Sequence, residues 1–271
     1  MNRRPRVLAT ALAAGTLLTS AAACSGGGGG GGRGAGDAVA SASPAARQAP
    51  SAPASASAAP AALTEAQAGA AMVTAGDLGP RWAPSEGAAT WHDAVLKARA
   101  DRPDCQRLLD GLYEDDLLGE PSGARVVTGF DDGESGGQLR YEVAAYGRPQ
   151  LDAGITWLQT MPVKCGQFTA TNAKGTRWAV QVVDSSLPEL GDARQGLRMM
   201  MTGDLEGAPA TLTLDIASVR VGDSALTLTD GGLEGADDES TRLASQLGTQ
   251  RLKDVAAGKT PAAASPAAQE G

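Results

Sequence analysis

The stretch from residue 24 to residue 62 most constrains the fold, because it cannot contribute to a hydrophobic core. Of its 39 residues, 33 are Gly, Ala, Ser or Pro, and Val39 is its one larger apolar side chain. Such a sequence cannot bury enough apolar surface to offset the conformational entropy lost on ordering. We therefore expect a flexible tether at 24–62, a folded domain at 63–258 and a disordered tail at 259–271.

Residues 1–23 have the pattern of a secretory signal peptide. Three arginines within the first six residues precede an apolar run at residues 7–18, and small residues then lead to Cys24. The apolar run is shorter than the roughly 20 residues that a helix needs to span a bilayer. We therefore expect a cleaved segment, with Cys24 as the first residue of the mature chain.

Cys24 is the candidate lipidation site. A bacterial lipoprotein signal usually has Leu three positions before its cysteine, whereas this chain has Ala21 there, and Ala21-Ala22-Ala23 also suits the ordinary signal peptidase. A cysteine followed at once by Ser25 and seven glycines resembles actinobacterial lipoproteins. We expect a lipid anchor that holds the chain at the outer face of the cell membrane. The alternative is an ordinary secreted protein with a free N-terminal thiol.

The other two cysteines, Cys105 and Cys165, predict one disulfide, because an even pair in an exported chain is usually bridged. Closing a loop of about 60 residues stabilises the fold by up to roughly 4 kcal/mol. Two free buried thiols are the alternative.

The charge of the chain limits its partners. A formal net charge of −8 repels polyanions. We therefore expect no nucleic-acid partner.

The folded domain begins with helical patterns. Thr64 and Gln67 have the spacing of a capping box, which predicts a helix to about Thr74. Further helices are expected at 93–100 and 104–113, and the apolar period of the second places Cys105 on its inner face.

From residue 124 the apolar period changes to two, which indicates strands. A hairpin is predicted at 124–130 and 138–146, a helix from Pro149 to near Pro162, and further strands at 168–173, 176–184, 197–202, 211–221 and 225–229. The alternation in 211–221 changes phase, which predicts a β-bulge near Ala217-Ser218. A last helix begins at about Asp238. This order predicts an α+β domain with a mainly antiparallel, twisted sheet flanked by helices.

Several short motifs carry a resemblance to a known group. They are Thr64-Glu65-Ala66-Gln67, Asp77-Leu78-Gly79-Pro80-Arg81-Trp82, Cys165-Gly166-Gln167-Phe168, Leu190-Gly191-Asp192 and Val219-Arg220-Val221-Gly222-Asp223. Together they resemble the extracellular sensor domain of mycobacterial receptor serine/threonine kinases and of many actinobacterial lipoproteins. The resemblance implies a twisted antiparallel sheet with a cleft for an extracellular ligand. This chain has one internal cysteine pair where that group has two disulfides, and it carries no kinase domain, so we expect any signal to pass through a partner protein.

Residues that could carry catalysis are few. His92 is the only histidine, and nothing around it indicates a triad or a metal site. The acidic clusters Glu114-Asp115-Asp116 and Asp131-Asp132-Gly133-Glu134 are predicted to be solvated turns. We predict no catalytic residue, no metal and no cofactor.

Trp82 and Trp91 fall in irregular segments, where an aromatic side chain can line a cleft. Packing against the sheet is the alternative for both residues.

Three hypotheses about function follow. The first is a membrane-anchored, extracytoplasmic binding or sensor module for an unknown envelope ligand or partner protein. The second is a carboxylate-dependent envelope hydrolase, which requires two acids roughly 5 to 10 Å apart across a pocket. The third is an interaction protein without a small-molecule pocket, which requires an exposed apolar patch.

Overall fold

The computed structural model describes residues 62–262. The predicted signal peptide, Cys24, the tether as far as residue 61 and the tail beyond residue 262 lie outside the described residues. None of the described helices combines the length and the apolar character that crossing a membrane requires.

The described chain contains nine strands, six α-helices and one π-helical turn. The strands are β1 (Trp82–Pro84), β2 (Ala98–Ala100), β3 (Arg125–Asp132), β4 (Gln138–Ala145), β5 (Gln167–Asn172), β6 (Arg177–Asp184), β7 (Ala193–Leu205), β8 (Ala208–Val221) and β9 (Ser224–Gly232). The helices are α1 (Glu65–Ala70), α2 (Ala75–Leu78), α3 (Pro103–Tyr113), α4 (Arg148–Gln159), α5 (Met161–Lys164) and α6 (Asp238–Ala256), and the π-helical turn is His92–Leu96.

All nine strands form one sheet in the order β1-β3-β4-β9-β8-β7-β6-β5-β2. Every neighbouring pair is antiparallel. The predicted α+β domain on an antiparallel sheet is therefore confirmed. Both edge strands are three residues long, and short edges limit unwanted pairing with other chains.

The sheet separates two hydrophobic cores. The α3-side core lies under α3, α4 and α5 and includes Leu108, Leu158, Trp178, Met199 and Leu214. The α6-side core lies under α1, α2 and α6 and includes Trp82, Tyr141, Val219, Leu226 and Leu252. Because helices cover both faces, the central strands are buried on both sides.

The predicted β-bulge near Ala217 and Ser218 is wrong. Both residues keep continuous register with β7 and with β9. Ile216 and the alternate residues before it face the α3-side core, whereas Ala217, Val219 and Val221 face the α6-side core. The apolar pattern changes phase because β8 passes from one core to the other, and its pairing is unaffected.

Two predicted helices are also corrected. The first helix ends at Ala70 instead of running to Thr74, because Thr74 caps a second short helix together with Asp77. The segment 93–100 forms the π-helical turn and then β2, because Ala98–Ala100 pairs with β5.

The predicted β3–β4 hairpin, α3, α4 and the start of α6 are confirmed, and each predicted end lies within three residues of the observed one. The disulfide between Cys105 and Cys165 is formed, with 5.6 Å between the two Cα atoms. It connects the first turn of α3 to the segment just before β5.

Candidate functional site

A groove lies at the β2 edge of the sheet, between β2 and α3. Its volume is about 600 Å³, and it is lined by residues 96–103 together with Gln106, Asp110 and Tyr113 of α3. This volume falls within the roughly 300–1,000 Å³ of small-ligand sites. We call it the edge groove.

Local sequence fixes the two walls of the edge groove. Pro103 is the first residue of α3, and its fixed φ suits a helix that starts directly after a strand. Cys105, two residues further on, is joined to Cys165, which precedes the strand that pairs with β2. The guanidinium of Arg102 donates a hydrogen bond to the carbonyl of Lys164 at 3.0 Å. The helical wall is therefore fastened to the sheet wall at one end.

The side chain of Gln106 occupies the position of a missing tenth strand. The N–H of Asp101 donates a hydrogen bond to the carbonyl of Thr169 in β5. Successive residues of a strand direct their backbone groups to opposite sides, so Ala98 and Ala100 direct their N–H and C=O groups away from β5. Gln106 Oε1 accepts a hydrogen bond from the N–H of Ala100 at 2.7 Å, and Gln106 Nε2 donates to the carbonyl of Ala98 at 3.2 Å. One side-chain amide therefore satisfies the donor and the acceptor that the free edge presents.

Gln106 is itself held in place by α3. Its Nε2 also donates to Asp110 Oδ1, one helical turn further on, at 2.7 Å. Three of the four hydrogen-bonding positions of this amide, including both N–H donors, are thus used, two of them by the free edge of β2.

The edge groove carries more cations than anions. Lys97, Arg99 and Arg102 line it, against Asp101 and Asp110. None of the three cations has a carboxylate within ion-pair distance among residues 62–262. In a chain of net charge −8, this groove is a local cationic region.

An aromatic cluster supports the groove wall beside Lys97. The ring of Tyr113 stacks on His92 with 4.7 Å between centroids, and Lys97 Nζ lies 5.5 Å from the Tyr113 ring centre. The hydroxyl of Tyr113 donates to Asp93 at 3.1 Å. Hydrogen bonds with His92 and Tyr113, together with the charge of Lys97, lower the pKa of the Asp93 carboxyl.

The two tryptophans predicted to line a cleft lie elsewhere. Trp82 and Trp91 are each 5% exposed, Trp82 in the α6-side core and Trp91 in the α3-side core. Neither indole N–H has a hydrogen-bond partner. Trp91 immediately precedes the π-helical turn that leads to the groove, and its contact with a ligand stays a prediction.

Two buried carboxylates, Asp215 and Asp230, face each other across strands β8 and β9. Each is 1% exposed. Arg198 donates two hydrogen bonds of 2.7 Å to Asp215, whose pKa is raised by burial. Asp230 accepts a single bond from Thr241 at 3.3 Å, and burial, with the charge of Asp237, raises its pKa to about 8. Because α6 packs against β8 and β9, both carboxylates are shielded from solvent.

The acidic clusters serve the fold. Asp115 forms an ion pair with Arg140. Asp132, predicted to be solvated, is 3% exposed, because it accepts hydrogen bonds from the Glu134 N–H and the Ser135 hydroxyl inside the hairpin turn. No group of three or more His, Cys, Asp or Glu side chains suited to a metal ion occurs in the described range.

Sequence reasoning missed the residues that form the edge groove. Lys97, Arg99 and Gln106 belong to no motif, and the first two were assigned to a helix. The sequence Ala98-Arg99-Ala100 lacks the β-branched and aromatic residues that indicate strands. Only the pairing with β5 reveals the edge, and that pairing joins segments about 70 residues apart.

Comparisons with known proteins add one structural likeness. No protein-family model matches the chain, and no curated protein matches it. Among solved structures, the extracellular domain of PknH from Mycobacterium tuberculosis aligns with 72% of this chain and 100% of its own length, at a TM-score of 0.46 and 12% identity. At that similarity neither fold nor function carries over to this chain.

Proposed function

We propose that this chain is an extracytoplasmic binding module of the sensor type, and that the edge groove binds an anionic ligand. The observation that carries the proposal is a groove of about 600 Å³ with three cations that have no carboxylate partner among the described residues. An anion placed there gains hydrogen bonds to charged donors, which are stronger than bonds between neutral groups.

Two further observations support binding over the other hypotheses. The facing carboxylates Asp215 and Asp230 are buried under α6 and do not line the edge groove. Val163 is the large apolar side chain that stays exposed in the described range, at 89%, and a single residue does not form the patch that an apolar interaction module requires.

A thermal-shift screen tests the groove. We expect anionic envelope fragments to raise the melting temperature of the full chain more than neutral fragments of equal size. The double variant Lys97→Glu/Arg99→Glu should abolish that difference. Lys253→Glu, on the last turn of α6, is the control for a charge reversal outside the groove. This variant should retain the larger shift with anionic fragments. Equal shifts from anionic and neutral fragments would refute the proposal.

We also propose that a lipid on Cys24 and the tether at 24–62 hold this domain at the outer face of the membrane. The cysteine follows small residues and precedes a long Gly/Ala/Ser/Pro segment, which supports an anchor with a spacer. The variant Cys24→Ser should move from the membrane fraction to the soluble fraction. If the variant partitions like the wild type, the proposal of a lipid anchor is wrong and the alternative of a secreted protein is supported.

A further inference from the structure

We propose that the anionic ligand of the edge groove is an extended acidic peptide segment of a partner protein, which pairs with the free edge of β2 and displaces the side chain of Gln106. This inference rests on the proposed function, because it names the ligand class for the same groove. Three observations support it independently.

The first observation is the chemistry of the free edge. Ala100 presents an N–H and Ala98 a C=O in the plane of the sheet, on the side away from β5. In a parallel pairing one residue of an added strand binds both groups through its own N–H and C=O, and in an antiparallel pairing two residues that lie two positions apart bind them. A peptide backbone therefore matches this donor–acceptor pair, as it does in other complexes formed by strand addition.

The second observation is the present occupant of that edge. Gln106 fills both positions with the C=O and N–H of an amide, which are the groups that a peptide bond offers. The side chain starts from α3 and reaches across the groove, so a rotation about its own bonds vacates the edge. After that rotation Gln106 Nε2 retains Asp110 as a partner within the helix, which lowers the cost of displacement.

The third observation is charge. Lys97 lies just before β2, Arg99 within it and Arg102 just after it, so the cations follow the edge over six residues. An extended peptide places alternate side chains about 6.5–7 Å apart, so acidic residues at alternate positions can meet successive cations. The net charge of −8 repels an acidic partner at long range, so recognition depends on these local contacts.

The test uses the full chain and two pools of acetylated, amidated hexapeptides. One pool has Glu at alternate positions and the other has Lys, with the remaining positions randomised among Val, Thr and Ala. We expect the Glu pool to bind at least tenfold more tightly by fluorescence anisotropy. Equal binding of the two pools, or no binding of the Glu pool, overturns the inference.

Backbone pairing is tested separately from charge. Methylating the central amide nitrogens of the tightest Glu peptide should weaken its binding about tenfold, because those N–H groups can no longer donate. Ala100→Pro removes the outward N–H and leaves the pairing of Arg99 and Asp101 with β5, since proline is tolerated in an edge strand. This variant should bind the peptide at least fivefold more weakly. Arg107→Lys, on α3 but outside the edge groove, is the control and should bind normally; far-UV circular dichroism shows whether Ala100→Pro is folded.

Displacement is tested with Gln106→Ala, which leaves the edge vacant. The acidic peptide should then bind about threefold more tightly, and unchanged or weaker binding would contradict displacement. A polyglucuronate oligosaccharide serves as a non-peptide anion. If it binds through Lys97 and Arg99 while amide methylation and Ala100→Pro change nothing, the anionic site stands and the peptide inference is wrong. If no anion binds through these cations, both proposals fail.

Discussion

Asp230 makes the stability of this fold depend on pH in a direction opposite to that of most aspartates. Its carboxyl is 1% exposed and has one hydrogen-bond partner, Thr241. Burial and the neighbouring charge of Asp237 raise its pKa from 3.8 to about 8. Substituting Asp230→Asn removes the titrating group and retains a carbonyl that can accept the bond from Thr241.

The size of the effect follows from linkage. Below about pH 4 the carboxyl is protonated in both states, so the stability it contributes is fully present. Between about pH 4 and 8 the unfolded chain loses this proton while the folded chain keeps it, and the free energy of unfolding falls by about 1.4 kcal/mol per pH unit. Above about pH 8 the loss is complete. At pH 7 the ideal loss is on the order of 4 kcal/mol, and we expect roughly 2–4 kcal/mol because relaxation reduces burial penalties.

The assay is urea unfolding followed by tryptophan fluorescence at each pH unit from 4 to 9. Asp230→Asn should match the wild type near pH 4, exceed it by a growing margin up to about pH 8 and keep that margin above pH 8. Asp223→Asn, whose side chain is 61% exposed, gives the baseline for removing a surface carboxylate. A difference between wild type and Asp230→Asn that stays constant from pH 4 to 9 would refute the argument.

Three further predictions concern stability at fixed pH, measured by urea unfolding. Tyr141→Phe should stabilise by about 1 kcal/mol, because the hydroxyl is fully buried without a hydrogen-bond partner; a loss above about 1 kcal/mol would reveal a partner. Gly248→Ala should destabilise by about 1–3 kcal/mol, since an added Cβ would lie 1.7 Å from the Tyr141 hydroxyl oxygen. Combining it with Tyr141→Phe should recover part of that loss. Glu206→Asn should stabilise by about 0.5–1 kcal/mol, because Glu206 has φ 56° beside Gly207 in the two-residue β7–β8 turn.

Local signals predicted much of this fold. The β3–β4 hairpin was predicted from the apolar period of two that begins at residue 124, and the start of α6 was predicted at Asp238, where it lies. The strands predicted at 211–221 and 225–229 leave a turn at Gly222-Asp223 between them, and the pairing of Val221 with Ser224 confirms that turn. Each of these features depends on residues close together in the chain, which is the information that a sequence provides most directly.

The predictions failed where distant segments decide the structure. The apolar phase change at Ala217 is ambiguous until the covering helices on both faces are known. Residues 98–100 become a strand only because β5 is beside them. The edge groove was missed for the same reason, since its polar residues line one groove only when β2 is paired with β5.

The two ends of the described domain meet at a point far from the edge groove. α1 packs against α6, and Gln67 Nε2 donates to the carbonyl of Val255 at 3.3 Å. α1 also contacts β3 and β4, which lie on the far side of the sheet order from β2. From β4 to β2 there are six strand spacings of about 4.8 Å, or about 30 Å. The N-terminal entry to the described domain, at α1, is therefore about 30 Å along the sheet from the groove, so a partner paired with β2 binds at a distance from that entry.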